Sequence, residues 1–413
     1  MQIFLVKENE PEENVTPQDA PCPAIIKVIG SGSGGSNAIN HMIGSGLSGV
    51  EFIAVNTDKQ HLDNISKAGI KLHIGGKLTG GRGAGGDPAK GEDAANEDRE
   101  MISETLRGAD MVFVTTGMGG GTGTGSIPII ARIAKDQGAL TVGIVTTPFE
   151  VEGHEKMEIA EKGIKKLRDE VDTLIVIPNE NLFKIIDRKT SVTQTLRYAD
   201  DILYQAVKGI ADLITKIGLI NTDFADVEST MKGQGDAHLG IGIGSGDNRA
   251  IDAANDAIDN PLLEDVSIEG ATRILVNIAG PEEIPMAEVR EILNTIRAKV
   301  GSDAKLKFGI TFDSELGEDV KVTVIATGFQ NRKAMPARGG ETPKKAQVDD
   351  IVIDCKRFDE MRGMRDKRYH DNYVGISRTK EYHENLDIPT AVRKYNSADN
   401  DYADKAAAGG RDA

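Results

Sequence analysis

Five short apolar runs set the strongest limit on how this chain can fold. Each is rich in Ile, Val and Thr, ends in a glycine or polar turn, and leads into helical spacing. Runs this continuous suit strands covered on both faces, and the stretches between them are long enough for crossover helices. We predict an α/β fold with a doubly wound, mostly parallel sheet, built from AIIKVIG (24–30), EFIAVNTD (51–58), DMVFVTTG (110–117), LTVGIVTTP (140–148) and DTLIVIPN (172–179).

The most regular pattern in the sequence follows these runs. Apolar residues spaced alternately four and three apart between Val192 and Ile217 predict one long helix. Its wide apolar stripe indicates a central helix packed between two bodies. Further apolar runs within 239–328, with helical segments near 249–259 and 285–300, predict a second, smaller α/β domain.

Charge and cysteine usage exclude several classes of protein. The formal net charge of −16 argues against nucleic-acid binding, which neutralises phosphates with a basic surface. It also disfavours adsorption to anionic membranes, and no apolar run has the length of a membrane span or a signal peptide's core. Cys22 and Cys355 are too far apart in the sequence to suggest a disulfide framework, so we expect a reducing, cytoplasmic setting.

The strongest chemical signal is GMGGGTGTG, Gly117 to Gly125, which stands between a predicted strand and a helix whose first turn suits Pro128. Glycines let backbone N–H groups close on phosphate, the helix dipole adds partial positive charge, and Thr122, Thr124 and Ser126 offer hydroxyl donors. The motif has no P-loop lysine. The alternative is a turn without a ligand, but so many glycines would destabilise a mere connection.

Two more glycine-rich segments, GSGSGGSN (30–37) and LTGGRGAGGDP (78–88), follow strands or crossovers. The first alone would suggest a dinucleotide fingerprint, with Asp58 as its acidic residue. A dinucleotide oxidoreductase needs one such loop and a substrate acid–base histidine, for which the sequence gives no candidate. Three loops around one polyphosphate fit a nucleoside triphosphate better.

A pair of acids follows the long helix. In NTDFAD (221–226), Asp223 and Asp226 are three residues apart and would lie on one side of a helical turn. From spacing alone, a helix N-cap is the commoner explanation of such an aspartate.

Together these segments resemble the tubulin/FtsZ family of GTPases, whose FtsZ members act in bacterial cell division. The resemblance covers about residues 24–330 and a peptide near the C-terminus. It is carried, in family order, by the NTD turn (56–58), LTGGRGAGG (78–86), GMGGGTGTG (117–125), TPFEVEG (147–153), IPNENL (177–182), GLINTDFADV (218–227) and NLDIPTAVRK (385–394).

The resemblance implies binding of GTP or GDP, with Mg²⁺ held through the phosphates rather than by side chains. It implies guanine recognition by Asn37 and Asp200, ribose contacts from Glu152, and Asn179 lining the site. A carboxylate suits guanine because it accepts from N1–H and the exocyclic amine together. Phosphate contacts are implied for Ser33, Gly34, Gly35, Ser36, Ala84, Gly85, Gly117, Gly120, Gly121, Thr122, Gly123 and Lys156.

The chain departs from the family pattern at several of these places. Serines replace glycines in the first loop, Lys156 stands where an arginine is usual, and Leu196 stands where a Phe commonly stacks on the base. Lysine offers a point charge instead of a bidentate contact. These changes keep a second hypothesis open, a nucleotide-binding filament scaffold with weak or no turnover. His154 is expected to face solvent rather than take part in catalysis.

The predicted long helix indicates that hydrolysis needs two molecules. From Asp200 to Ile217 an α-helix rises about 26 Å, so an Asp200 that contacts the base leaves Asp223 and Asp226 far from that nucleotide's γ-phosphate. A head-to-tail neighbour would supply them, and such contacts propagate as a filament. We predict water attack oriented by Asp223, Asp226 and Asn221 of the adjoining subunit. The resemblance adds a role in the division ring.

Beyond residue 330 the apolar periodicity fades, and a solvated tether is expected. Plain disorder is the alternative for NLDIPTAVRK, but the resemblance implies docking to membrane-tethering and regulatory division proteins through Leu386, Asp387, Ile388, Pro389 and Arg393. The predicted divisions are a flexible leader 1–23, a nucleotide-binding domain 24–190, a central helix 191–220, a C-terminal α/β domain 221–330, a disordered linker 331–380, a partner-binding peptide 381–395 and a disordered end 396–413.

Overall fold

The computed structural model describes residues 24–187, 189–216, 218–220, 222–259, 268–301 and 303–329. The predicted leader, linker and partner-binding peptide lie outside these residues, as does Asn221. The strands are β1 (Ile26–Ser31), β2 (Glu51–Asn56), β3 (Ile70–His73), β4 (Met111–Gly117), β5 (Leu140–Thr147), β6 (Thr173–Pro178), β7 (Gly235–Gly244), β8 (Arg273–Gly280), β9 (Lys305–Phe312) and β10 (Val320–Thr327).

Helices alternate with the strands through most of the described chain. They are α1 (Gly32–Gly44), α2 (Lys59–Ile65), α3 (Gly76–Thr79), α4 (Pro88–Glu97), α5 (Arg99–Leu106), α6 (Thr122–Asp136), α7 (His154–Glu170), α8 (Val192–Thr215), α9 (Phe224–Met231), α10 (Arg249–Ile258) and α11 (Met286–Val300), with short 3₁₀ turns at Glu150–Glu152, Asn179–Lys184 and Ser314–Leu316.

The prediction of a doubly wound parallel sheet is confirmed. The strand order is β3-β2-β1-β4-β5-β6-β7-β10-β8-β9, and β1 pairs in parallel with both β2 and β4. Successive residues of β1 belong to opposite cores, since Val28 packs in the cluster with α1 and α8 while Ile29 packs in the cluster with α4 to α7. Helices therefore cover both faces, which is why these strands are apolar throughout.

Strand β3 was not predicted. It is a four-residue strand, IKLH, at the edge of the sheet, where it pairs in parallel with β2. With four residues, of which one is buried, it is too short for apolar alternation to be detected.

The predicted second domain forms, but its strands continue the same sheet. Two residue pairs join β6 to β7, Thr173 with Gly235 and Leu174 with Asp236. Beyond these two pairs, residues 237–244 of β7 pair with the whole of β10 in the antiparallel sense. The junction is narrow because β7 leaves β6 after two residues and takes β10 as its partner.

The predicted central helix is α8. Ser191 caps it by accepting from the Gln194 N–H, and Gln194 returns a contact to the Ser191 backbone. Its buried residues share one core with Phe113 and Ile175 from the first half of the sheet and with Ile325 from the second half. The helix therefore packs against both bodies, as its wide apolar stripe predicts. Among the residues described, no helix is both long and apolar enough to cross a bilayer.

Candidate functional site

The three glycine-rich segments meet at the carboxyl ends of β1 and β4. A Cβ added to Gly32, where φ is +71°, would lie 3.0 Å from the Gly123 nitrogen, and one added to Gly34 would lie 3.2 Å from the Gly117 nitrogen. On the opposite side, a Cβ on Gly121 would lie 2.7 Å from the Asp87 nitrogen. A side chain at Gly121 would clash with backbone, and one at Gly32 or Gly34 would be crowded, so the backbones of the three segments approach one another closely.

Helix α6 begins inside the glycine motif. It starts at Thr122, so Pro128 lies within the helix instead of in its first turn, and the predicted start was wrong. Its first N–H groups lack intrahelical carbonyl partners and carry the positive end of the helix dipole. The groups that the sequence assigned to a loop are therefore the helix N-terminus itself, which is a stronger anion site.

Two of the expected hydroxyl donors are engaged inside the protein. Thr124 Oγ1 accepts from the Gly119 N–H at 2.9 Å, and Ser126 Oγ donates to the Thr122 carbonyl at 2.7 Å. Both residues are buried, so the expectation that they face phosphate was wrong. Thr122 is half-buried, and its Oγ1 lies 2.6 Å from Thr57 Oγ1 in the NTD turn. In the same turn Asp58 caps α2, unlike the ribose-binding acid of a dinucleotide site.

The remaining predicted phosphate and ribose residues are distributed around this junction. Glu152 accepts from the Phe149 N–H and from Lys156 Nζ, each at 3.0 Å, so the lysine is paired with the carboxylate. His154 has an 87% exposed side chain, and its predicted solvent-facing position is confirmed. The exposed members of the predicted set are Ser33, Gly34, Asn37, Gly85, Gly120, Glu152 and Lys156, and the buried ones are Gly35, Ser36, Ala84, Gly121, Gly123 and Asn179.

The predicted guanine readers stand on adjacent helices. His41, four residues after Asn37 on α1, has Nε2 3.1 Å from Asp201 Oδ1 on α8. This pair joins the two helices beside Asp200. Because Asn37 and His41 are one turn apart on α1, Asp200 lies near the face of α1 that carries Asn37. Asn179 is buried, and its Oδ1 has no hydrogen-bond partner within the described part of the chain. A buried acceptor without a partner is costly, which fits a group that a ligand satisfies.

Asp200 is held in a site that disfavours its charge. Burial raises its pKa to about 7 and the nearby Asp201 carboxylate adds to the rise, while His41 and Arg197 oppose it. Guanine N–H donors would favour the ionised form. We therefore expect GTP affinity to increase as the pH rises through 7.

Replacing Asp200 by Asn is expected to stabilise the nucleotide-free protein above pH 7. Because the folded pKa exceeds the unfolded one, this group's contribution to stability is present at low pH and is lost as the pH rises through 7. Asp200→Asn removes that loss, so its free energy of unfolding should exceed that of the wild type by up to about 4 kcal/mol at pH 8. Urea unfolding at pH 5 and pH 8 measures the difference, and an equal gap at both pH values would contradict the assignment.

The two acids occupy the other end of α8. Asp223 caps α9, with Oδ1 accepting from the Asp226 N–H at 2.7 Å, so the N-cap explanation is correct. The preceding loop pairs with the edge strand β9, where the Ile310 N–H donates to the Ile220 carbonyl at 3.0 Å. From Asp200 to the end of α8 at Thr215 the rise is about 22 Å.

The contacts that hold these groups in place were not predicted. The His41–Asp201 pair, the Ile220–Ile310 bridge and an ion pair between Lys307 and Asp226 each join residues from distant segments. No local pattern marks them, because each depends on which helix or strand packs beside which.

Comparison with known proteins agrees with this arrangement. Residues 25–187 match the GTPase domain of the Tubulin/FtsZ family, and residues 235–330 match the C-terminal domain of the FtsZ family. An empty FtsZ dimer from M. jannaschii is 43% identical with a TM-score of 0.72, covering 77% of this chain and 94% of its own. A mutant FtsZ from M. jannaschii is 45% identical with a TM-score of 0.71, covering 75% and 92%.

CetZ1 from Haloferax volcanii, solved as a GDP-bound monomer, is 23% identical with a TM-score of 0.63 and covers 74% of this chain and 95% of its own. At that identity the likeness concerns the fold alone. The two family matches and the FtsZ structures, taken with the convergent glycine loops, lead to one conclusion. This chain belongs to the tubulin/FtsZ family and is an FtsZ-type GTPase.

Proposed function

We propose that this chain polymerises head to tail on binding GTP, that acids of the neighbouring subunit complete hydrolysis, and that the filament forms the cell-division ring. The observation that carries the proposal is the separation of the glycine loops from Asp223 and Asp226 by the length of α8. A rigid helix keeps the acids away from their own subunit's nucleotide. A second subunit stacked on the first supplies them.

The nucleotide end would bind GTP mainly through backbone groups. The N–H groups of Gly121, Thr122 and Gly123 at the start of α6 would face the phosphates. The close backbone approach at Gly121 and Gly123 supports this, because an added Cβ would clash there. Asn37 and Asp200 would bind guanine, and Glu152 would bind the ribose. Asn179 begins a 3₁₀ turn that packs against α8 and would line the same site.

Mg²⁺ is part of the proposal, held through phosphate oxygens that the triphosphate itself brings. When bound, it would offset phosphate charge. The protein's own contribution is the set of N–H groups at Gly121 to Gly123. Those groups are fixed before the charge develops and therefore need no reorganisation during hydrolysis.

Hydrolysis would proceed by attack of water on the γ-phosphorus, with the bond to the bridging oxygen breaking and GDP leaving. Asp223 and Asp226 of the neighbour would orient that water and accept its proton. Asn221 is proposed to orient the same loop.

Exposed apolar residues at both ends of the molecule support head-to-tail contact. Val151 is 87% exposed and Phe183 is 54% exposed at the nucleotide end, and Leu219 is 63% exposed beside the acids. Opposite, non-identical apolar surfaces suit a heterologous contact that propagates. The M. jannaschii FtsZ that resembles this chain is itself described as a dimer.

The cellular part of the proposal rests on family membership. We propose a cytoplasmic location at the division site, reached through docking of residues 385–394 on membrane-tethering and regulatory division proteins. Neither nucleic acid nor direct membrane insertion has a place in this scheme.

A filament scaffold with weak turnover is the second candidate function. The ion pair between Glu152 and Lys156 favours this candidate, because the Lys156 ammonium group is bound to a carboxylate and is not available to phosphate. Light scattering with GTP, measured beside phosphate release, separates the two. Assembly without phosphate release would favour the scaffold.

Turnover should depend on the presence of a neighbour. We expect GTP hydrolysis to rise faster than linearly with protein concentration, because a subunit without a neighbour has no acids at its nucleotide. Phosphate release across a dilution series measures this. A rate per subunit that stays constant upon dilution below the assembly threshold would contradict hydrolysis between subunits.

Mixing two inactive variants provides a stricter test. Gly121→Ala should bind GTP poorly and assemble poorly on its own, and Asp223→Asn should bind GTP without hydrolysing it. Because each head-to-tail contact needs one nucleotide and one acid pair, the intact acids of Gly121→Ala can still dock on the GTP of an Asp223→Asn subunit. We expect a 1:1 mixture to release phosphate well above either variant alone, with both chains in the sedimented polymer. Mixed polymer without turnover would contradict the proposal.

A further inference from the structure

An ion pair joins the outermost strand of the sheet to the helix that carries the acids. Lys307 lies on β9, and its Nζ is 2.6 Å from Asp226 Oδ1. We propose that Lys307 is a positioning residue for hydrolysis: it orients the Asp226 carboxylate and reduces the negative charge of the acid loop that must approach the neighbour's triphosphate. This inference rests on the proposed function.

The strand that carries Lys307 also holds the loop before the acids. The Ile310 N–H donates to the Ile220 carbonyl at 3.0 Å. Gly309 lies between Lys307 and Ile310 on the same strand, and a Cβ added to it would lie 2.8 Å from Thr222 Oγ1. One edge strand thus fixes both the loop and the lysine, so the ammonium group keeps its place relative to Asp226.

The charges near the acids favour this role. Asp223 and Asp226 are separated by one turn, and each would repel a triphosphate. The hydrogen bond from Lys307 to Asp226, with a further contribution from the Asp223 charge, raises the pKa of Lys307. The lysine therefore stays protonated. The strands β8 and β5 pack on α9, and on β8 the Arg273 side chain donates to the Ser229 carbonyl.

Exposure argues that the pair serves the subunit contact more than the fold. The side chains of Lys307 and Asp226 are 47% and 34% exposed, within reach of a neighbouring subunit. Exposed ion pairs contribute little to folding stability because water screens them and both side chains lose freedom. Removing the ammonium group should therefore leave the fold intact while releasing the Asp226 side chain.

Lys307→Met tests the inference, since methionine keeps a long apolar stem on the strand. With assembled protein at saturating GTP, we expect turnover per sedimented subunit to fall about tenfold, because a misplaced reacting group is costly even when the shift is small. Lys307→Arg should restore most of the rate. Lys305→Met is the matched control, two residues away on the same exposed face of β9, and should keep the wild-type rate.

A split between rate and affinity distinguishes positioning from a structural effect. Lys307 contacts the acid Asp226, so Lys307→Met should lower kcat at saturating GTP while equilibrium GTP binding and the sedimented fraction stay at wild-type values. Lys307→Arg should restore kcat. A folding defect would lower kcat, GTP binding and sedimentation together.

Two results would overturn the inference. One is a Lys307→Met variant with wild-type turnover while Asp226→Asn is inactive, which leaves the proposed function standing. The other is an equal loss in Lys307→Met and Lys305→Met, which would indicate a general effect of charge on the strand. If Asp226→Asn itself keeps full turnover, the proposed function fails first and the role of Lys307 fails with it.

Discussion

Asp226→Asn is expected to lower GTP turnover per assembled subunit by roughly 10²- to 10⁴-fold while GTP binding stays unchanged. The amide cannot accept a proton from the attacking water, and it loses the ion pair with Lys307. The residues proposed to bind guanine lie near the other end of α8, so nucleotide affinity should not respond. Phosphate release and equilibrium GTP binding, measured on the same preparation, test both parts of this expectation.

Asp223→Asn should show the same loss of GTP turnover. This substitution distinguishes the catalytic role of the Asp223 charge from the role of Asp223 as a helix cap. Asp223 caps α9, and asparagine is as good an N-cap as aspartate. The substitution therefore removes the carboxylate without unwinding the helix, whereas Asp223→Ala would do both. Glu228→Gln, on the same helix and paired with Lys232 at 2.7 Å, is the control and should keep its turnover. Retention of more than a tenth of wild-type turnover by both Asn variants would remove these acids from the mechanism.

Gly121→Ala is expected to weaken GTP binding by at least about 100-fold, the equivalent of about 3 kcal/mol. An added Cβ would lie 2.7 Å from the Asp87 nitrogen and 2.9 Å from the Gly86 carbonyl carbon. Both are backbone atoms, so one of the glycine-rich segments must move away from the other. The N–H groups at the start of α6 would then no longer converge on one phosphate group.

A matched substitution controls for the general effect of replacing glycine. Gly44, in α1, has no atom within 4 Å of an added Cβ, and alanine is the better helix former. Gly44→Ala should therefore bind GTP normally and be slightly more stable. Titration with a fluorescent GTP analogue compares the variants. Wild-type affinity in Gly121→Ala, with the fold retained, would contradict a backbone phosphate cradle at this position.

Local patterns in the sequence predicted most of the fold. Apolar runs identify strands covered on both faces, and the alternating spacing after Val192 identifies α8, because both signals depend on residues a few positions apart. Edge strand β3 and the start of α6 were not predicted, because neither has a local pattern of apolar residues. β3 has too few residues for a pattern, and α6 begins among glycines that alone give no helical signal.

The sequence predicted the glycine-rich motifs of the site but not the hydrogen bonds between its side chains and the rest of the protein. The glycine motifs indicated phosphate chemistry, since few other demands need so many residues without side chains. The same motif could not show that Thr124 and Ser126 bond within the protein. Hydroxyl direction is set by the neighbours that folding brings, and those neighbours lie in other segments.

The sequence by itself determined the layered α/β architecture, the long helix and the glycine-rich anion site, because periodicity and the conformational freedom of glycine act over short stretches of chain. Tertiary structure alone decided the burial that shifts the pKa of Asp200, the continuation of the sheet from β6 to β7, and the contact between Lys307 and Asp226, which are 81 residues apart. Such contacts arise from packing between distant segments, and electrostatic effects follow the resulting distances and exposure to water.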